Sequence, residues 1–284
     1  MDLDLAPTPP FTPWQLVVRP IRVVTGVRDY CRELGVPVGL QWFCSRALAH
    51  LPIPGPARRV MKPRDLMHPV NVEMRPSSDE YVFNQIFIRH EYAPLCERVP
   101  EPKFILDLGA NVGYASALFA SRYPQVRILA VEPDPRNFAL CRRNLAPYGD
   151  RIKLLNGAVW PSCSRLALSH EFGNGLATQV KAAGSGGKGD VEAWDIQTLL
   201  DFAQVEIADI VKIDIEGTEA ALFASNTDQW LPRVRNICIE LHGQRYRNIF
   251  FNALAGYEYE AAETGEFTMC LGLRRRVNAG MAAK

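Results

Sequence analysis

Phe104-Ile105-Leu106-Asp107-Leu108-Gly109-Ala110-Asn111-Val112-Gly113 joins a short apolar run to a glycine turn, and Ser116 follows one helical turn on. An apolar run of this length stopped by glycine predicts a strand over Phe104–Leu108, with a helix over Val112–Arg122. The same rhythm recurs downstream. Strands are expected at Arg127–Val131, Ile152–Leu155, Asp209–Ile215, Asn236–Leu241 and Phe267–Leu271. Helices are expected at Pro135–Leu145, Asp195–Ala203, Thr218–Ala224 and Gln244–Ala255. Apolar strands alternating with amphipathic helices read as a parallel sheet covered on both faces, so the fold class is α/β, doubly wound.

Upstream of that repeat, prolines crowd the first hundred residues. Pro20–Leu34 and Gly39–Leu51 carry helical apolar spacing, and Arg59–Lys62 with Val70–Arg75 read as a hairpin because Pro69 and Pro76 bracket the second segment. Asp79–Phe87 reads as a helix with Ser78 or Asp79 as its N-cap. The expected organisation has four parts, with a boundary near Glu101-Pro102. Residues 1–78 form an N-terminal helical and hairpin extension, a candidate acceptor or subunit contact. Residues 79–101 hold a lead-in helix, residues 102–273 a donor-binding domain, and residues 274–284 a tail. Gly173, Gly175, Gly184, Gly186, Gly187 and Gly189 are too many for a strand or helix interior, so residues 169–190 read as an insertion with a mobile tip.

Composition narrows the function classes. Across 284 residues, 32 Lys and Arg against 31 Asp and Glu leave a net charge of +1, which removes the electrostatic footprint of a surface built for nucleic acid. Only Arg58, Arg59, Lys62 and Arg64 gather into a local basic patch, and Arg274-Arg275-Arg276 reads as a solvated strand end. The seven cysteines are scattered with no C-x-x-C, and the five histidines make no H-x-x-x-H pair. Reduced thiols are expected, without structural zinc. The acidic N-terminus meets Pro9 and Pro10 before any apolar run, and no run approaches the ~20 residues that span a bilayer. The expectation is a cytoplasmic protein with no membrane span. Trp14, Leu16, Val17, Trp42 and Phe43 are left to pack on the main domain, on another subunit in a homo-oligomer, or on a lipid surface.

Open parallel sheets bind ligands beyond the carboxyl ends of their strands, and here those ends are polar. Asp107 lies within the first, Glu132 ends the second, Asn156 the third, Asp214 and Glu216 the fourth, and Glu240 and His242 the fifth. Charges at a sheet edge cost desolvation unless something pairs with them, so convergence on one crevice is the economical reading. For any single residue, capping of the next helix is the alternative. In the glycine turn, Gly109 and Gly113 permit a sharp bend and a close ligand, and the exposed amides of Ala110 and its neighbours favour a carboxylate. A nicotinamide site would want G-x-G-x-x-G, but Asn111 stands where the second glycine clears space for a pyrophosphate. Asp107 beside the turn repels phosphate and suits an ammonium or sulfonium. Both features favour S-adenosylmethionine over NAD. Glu132 is placed to accept hydrogen bonds from two ribose hydroxyls, a role that would serve NAD equally. Asn156 either reads the adenine edge or makes an Asn-Gly turn.

The chain resembles the FkbM-type family of S-adenosylmethionine-dependent methyltransferases. The resemblance is carried by Asp107-x-Gly109-Ala110-Asn111-x-Gly113-x-x-Ser116, by Glu132-Pro133 followed by Asn144, by Val211-Lys212-Ile213-Asp214-Ile215-Glu216-Gly217-Thr218-Glu219, and by Glu240-x-His242. It covers roughly residues 79 to 271. It implies a Rossmann-like class I methyltransferase sheet with a final antiparallel strand, S-adenosylmethionine as donor with S-adenosylhomocysteine as product, and a hydroxyl acceptor on a small metabolite or sugar. The first ~78 residues and the glycine-rich insertion match it poorly.

Within Val211–Glu219, strand alternation puts Lys212, Asp214 and Glu216 on one side, so an internal lysine must find a carboxylate. Lys212 is either a structural ion pair or part of the site. Asp214, Glu216 and Glu240 are read as stabilising the sulfonium or binding the acceptor; a divalent metal between them is conceivable and not favoured. His242 is the candidate base for a hydroxyl proton, with Glu240 or Glu216 orienting its ring; its other reading is a histidine bonded to backbone at the start of the next helix. Two further readings stand beside O-methyl transfer. One is an NAD(P)-dependent oxidoreductase on the same sheet, and the other a non-catalytic S-adenosylmethionine-binding protein.

Overall fold

The computed structural model describes residues 26–48, 58–73, 78–169, 179–182 and 191–276. They fall in two compact units that divide between Gly55 and Pro56. The first unit holds helix α1 (residues 26–34) and helix α2 (Val36–Leu48). Arg46 donates to the Tyr30 hydroxyl at 3.3 Å between them. The expected helix start at Pro20, the expected helix end at Leu51, and Trp14, Leu16 and Val17 lie outside the described residues, as do most of the glycine-rich insertion and the tail beyond Arg276.

The second unit opens with the hairpin of β1 (Arg58–Met61) and β2 (Val70–Glu73), paired antiparallel. Helix α3 (Asp79–Phe87) and the short α4 (Ala93–Arg98) follow; the latter was not expected from the sequence. The hairpin and α3 belong to the same unit as the sheet, and polar side chains fasten them to it. The Asn71 amide donates to Asn144 Oδ1 at 2.8 Å, and Asn144 Nδ2 donates to the Val112 carbonyl at 2.8 Å. Asn144 is fully buried, so each of these bonds is made away from water, where leaving it unmade costs ~1–3 kcal/mol.

The main sheet has seven strands in the order β12-β13-β11-β10-β3-β4-β5. They are β3 (Phe104–Leu108), β4 (Arg127–Glu132), β5 (Ile152–Asn156), β10 (Ile210–Ile213), β11 (Ile237–Glu240), β12 (Tyr257–Thr264) and β13 (Phe267–Arg275). The five strands from β11 to β5 are mutually parallel, and β13 runs antiparallel to both neighbours. This is the class I methyltransferase sheet. Helices α5 (Tyr114–Arg122), α6 (Pro135–Leu145), α7 (Ile196–Phe202), α8 (Glu219–Ala224), α9 (Thr227–Trp230) and α10 (Gln244–Ala253) supply the crossovers. One core joins Leu106, Leu108, Val211 and Ile239 of the sheet to Phe223 and Phe250 of the helices. Each such side chain contributes ~1.5–3 kcal/mol by leaving water.

The observed strand β10 is shorter than the stretch Asp209–Ile215 expected for it. Beyond Ile213 the chain enters a turn in which Glu216 (φ 52°) and Gly217 (φ 89°) are both left-handed, a conformation no strand tolerates. A second sheet, in the order β6-β9-β7-β8, was also unexpected: β6 (Ala158–Val159), β7 (Ser164–Ser169), β8 (Gln179–Ala182) and β9 (Val191–Trp194). Strand β7 ends at the first residue of the stretch 169–190 read as an insertion, and β8 lies inside that stretch, where the glycines read as excluding a strand.

Candidate functional site

The turn after β3 is held from two sides. The Gly109 and Ala110 amides donate to the Val131 carbonyl at 3.0 and 2.9 Å, and Lys212 Nζ donates to the Gly109 carbonyl at 2.6 Å. Gly109 sits at φ 76°, and a Cβ there would lie 1.7 Å from the Asp214 carbonyl oxygen. Gly109→Ala is therefore expected to cost more than the ~1–3 kcal/mol of left-handed strain alone. Thermal unfolding checks this, and an alanine variant melting with the wild type would contradict it.

Asp107 is fully buried beneath this turn and does not face the crevice. Ser116 Oγ donates to its Oδ2 at 2.6 Å, and Lys212 Nζ lies 3.3 Å from its Oδ1. Lys212, 3% exposed, also lies 3.6 Å from Asp214 Oδ2. Burial works against its charge, but Asp107 and then Asp214 outweigh that and hold its pKa above the usual lysine value. Lys212 is thus an internal cation that ties the glycine turn to two strand ends, and Asp107 and Ser116 are the base on which the turn rests.

At the end of β4, Glu132 Oε2 accepts the Asn111 amide at 2.7 Å and Oε1 accepts the Asp134 amide at 2.9 Å. Burial pushes its pKa up to about 7, against the opposing pull of those two amides. Asn111 Oδ1 is buried with no hydrogen-bond partner. Asn156 is exposed at the end of β5, and its Nδ2 donates to the Glu132 carbonyl at 2.8 Å. Helix capping falls to other carboxylates. Asp134 Oδ1 accepts the Arg136 and Asn137 amides at the start of α6, and Asp195 caps α7.

The fourth and fifth strand ends meet around His242. Its Nε2 lies 3.4 Å from Glu240 Oε1 and 3.6 Å from Glu216 Oε2, and its Nδ1 lies 3.4 Å from Glu219 Oε1. The Glu219 hydrogen bond leads the causes that raise the His242 pKa to about 9; burial opposes it and the neighbouring carboxylates add to it. Burial, then Asp214, pushes Glu240 up to about 8 and Glu216 up to about 7, while His242 pulls both back. Glu219 is absent from the expected site residues although the motif ends on it. A small cavity beside the end of β10 is lined by Ala110, Asn111, Lys212 and Asp214, together with Gln85 of α3 and Phe267 of β13. The last two come from segments that carry no chemical signature in the sequence. Among the described residues, no group of three or more His, Cys, Asp or Glu side chains is arranged to hold a metal ion.

Residues 107–262 match the methyltransferase FkbM domain. The chain belongs to the FkbM methyltransferase family. It is 27% identical over 194 residues to methyltransferase sdnD of Sordaria araneosa, covering 57% of this chain and 74% of that one. It is 28% identical over 173 residues to the 2-O-methyltransferase NoeI of Sinorhizobium fredii, covering 55% and 70%. Methyltransferase 1 of Beauveria bassiana is 25% identical over 186 residues, covering 57% and 73%. This FkbM protein is an S-adenosylmethionine-dependent methyltransferase, and the oxidoreductase and binding-only readings give way to that activity. The residues present fit the donor. The orphaned Asn111 oxygen and the Glu132 carboxylate are acceptors suited to hydroxyl and ammonium donors rather than to a pyrophosphate. No helix among the described residues of the FkbM chain is long and apolar enough to cross a membrane.

Proposed function

We propose that this enzyme transfers the methyl group to a hydroxyl of a small metabolite or glycan, and that the His242, Glu216 and Glu240 cluster takes up the hydroxyl proton. The observation that carries this reading is the meeting of those three side chains within 3.6 Å beside Asp214, which lines the same crevice as Asn111. S-adenosylmethionine supplies an electrophilic methyl carbon when bound. An oxygen–carbon bond forms as the carbon–sulfur bond breaks, and the proton leaves to the cluster. Alignment of the reacting atoms is expected to supply most of the rate. A relative whose name specifies 2-O-methyl transfer supports an oxygen acceptor. In this proposal Glu132 and Asn111 hold the donor, with Asn156 at the adenine end; the Ala110 amide, expected to be exposed for a carboxylate, is instead spent on the Val131 carbonyl. Gly109 and Gly113 shape the turn, Asp107, Ser116 and Lys212 support it from beneath, and Asp214 faces the bound cation. Residues 1–78 and the insertion 169–190 select the acceptor. Cytoplasmic residence is proposed on the seven free, scattered thiols.

Two measurements test this reading. The cluster accepts a proton only once it has lost one, so kcat/KM is expected to rise with pH. Its apparent pKa should fall between about 7 (Glu216) and about 9 (His242). Activity that declines across that window would remove the cluster from proton transfer. Separately, Glu132 has its pKa raised to about 7, and its deprotonated form is the better acceptor for ribose hydroxyls. S-adenosylhomocysteine affinity should therefore climb as pH rises through about 7. In Glu132→Gln it should be ~10–100-fold weaker and nearly flat with pH, since hydrogen bonds to a charged group contribute ~1.5–3 kcal/mol. A Gln variant that titrates like the wild type would contradict the donor assignment.

A further inference from the structure

We infer that Glu219 is the positioning residue for His242, a buried carboxylate that sets both the imidazole's orientation and the turn carrying Glu216. The inference rests on the proposed role of the His242 cluster as proton acceptor. Glu219 is 1% exposed and opens helix α8. Its Oε1 accepts the Ile215 amide at 3.3 Å and the Gly217 amide at 3.2 Å, and the same oxygen lies 3.4 Å from His242 Nδ1. Those two amides flank Glu216, whose left-handed backbone needs an outside restraint to persist. One oxygen thus pins the strained turn from beneath and holds the ring from the side. With Nδ1–H committed to Glu219, Nε2 is left facing Glu240 and Glu216. That is the geometry a proton acceptor at the crevice requires.

Helix α8, which carries Glu219, and helix α10, which begins two residues after His242, are locked together, since Phe223 of α8 and Phe250 of α10 meet edge to face at 4.8 Å. Tyr246 of α10 adds a second tie, donating its hydroxyl to the Gly217 carbonyl at 3.3 Å. The other charged groups that act on the cluster are Asp214 and Lys212 of the β10 end and Glu266 of the β12–β13 hairpin. None of them makes a contact with Nδ1. Glu216 and Glu240, which the sequence suggested as orienting groups, stand on the Nε2 side instead.

The test is nitrogen-15 and proton NMR of His242 in the full chain, with pH–rate profiles on the same samples. In the wild type, Nδ1 is expected to carry the proton throughout and Nε2 to titrate, with a midpoint near about 9. Glu219→Gln keeps a carbonyl for the two turn amides but removes the charge. Its His242 midpoint should fall by at least one pH unit, the kcat/KM profile should move by the same amount, and S-adenosylhomocysteine affinity should stay within about twofold. A His242 that titrates unchanged in Glu219→Gln overturns the inference. So does a wild-type ring whose Nδ1 is unprotonated at neutral pH, a result needing no variant to fold. Failure of the underlying reading looks different: His242→Gln would turn over normally while the wild-type Nδ1 signature persisted.

Discussion

His242→Gln is expected to lower turnover by ~10²–10⁴-fold while leaving S-adenosylhomocysteine binding within a few-fold of wild type. The imidazole does two jobs in the cluster. It is the polar group whose Nε2 faces Glu240 and Glu216, and its positive charge restrains both carboxylates from rising further. A glutamine removes the titratable nitrogen and that charge together. Glu216 and Glu240 should then hold their protons to higher pH, so the surviving activity should rise later on the pH axis than in the wild type. The donor side is untouched, because Glu132, Asn111 and Lys212 make none of their recorded bonds to His242. Single-turnover kinetics beside calorimetry separates the two effects. A variant that turns over at the wild-type rate removes His242 from the chemistry, and one that fails to bind the product nucleoside shows that the ring holds the donor instead.

Asp107→Ala should cost ~3–5 kcal/mol of stability and abolish donor binding as well. Asp107 and Lys212 stand opposite each other in adjacent strands, and both are almost wholly out of water. Removing the carboxylate leaves an ammonium in the interior with Asp214 as its remaining ion-pair partner, and a broken buried pair is strongly destabilising. Ser116 loses its acceptor at the same stroke. For a unit of this size, a loss of that order lowers the melting temperature by ~6–20 °C. The donor site fails with it because Lys212 is what grips the Gly109 carbonyl. Ser116→Ala removes one neutral-donor bond and should cost only ~1–3 kcal/mol. Should Asp107→Ala melt within a degree or two of the wild type and still bind S-adenosylhomocysteine, the buried pair is not what supports the turn.

The parts of the fold legible in the sequence are those where local signals agree. Phe104–Leu108 is apolar except at Asp107 and stops at Gly109, and Pro135–Leu145 carries its own cap in Asp134; both elements have the expected limits. Strand β12 is missed from the sequence although Tyr257-Glu258-Tyr259-Glu260-Ala261 alternates in strand fashion: the signal is short, and only Tyr257 of its eight residues is buried, so no apolar run marks it. Strand β6 has two residues, too few for any pattern. At the site, the row of polar strand ends was readable, but which carboxylate meets which cation was not. Asp107 looked like a group facing a ligand, yet the parallel register sets Lys212 opposite it and closes it off. Glu219 offers the sequence no more than an acid in a first helical turn, which the helix dipole alone explains. Only the left-handed path at Glu216 brings it under His242.

Equilibrium titration calorimetry of the full chain with S-adenosylhomocysteine, run beside NADH, addresses the central claim directly: that the edge of β3, β4 and β10 is an acceptor-rich pocket for an adenosyl amino acid and not for a dinucleotide. The expected result is one saturable site for S-adenosylhomocysteine and no heat with NADH. Saturable binding of NADH with a silent S-adenosylhomocysteine titration would contradict it.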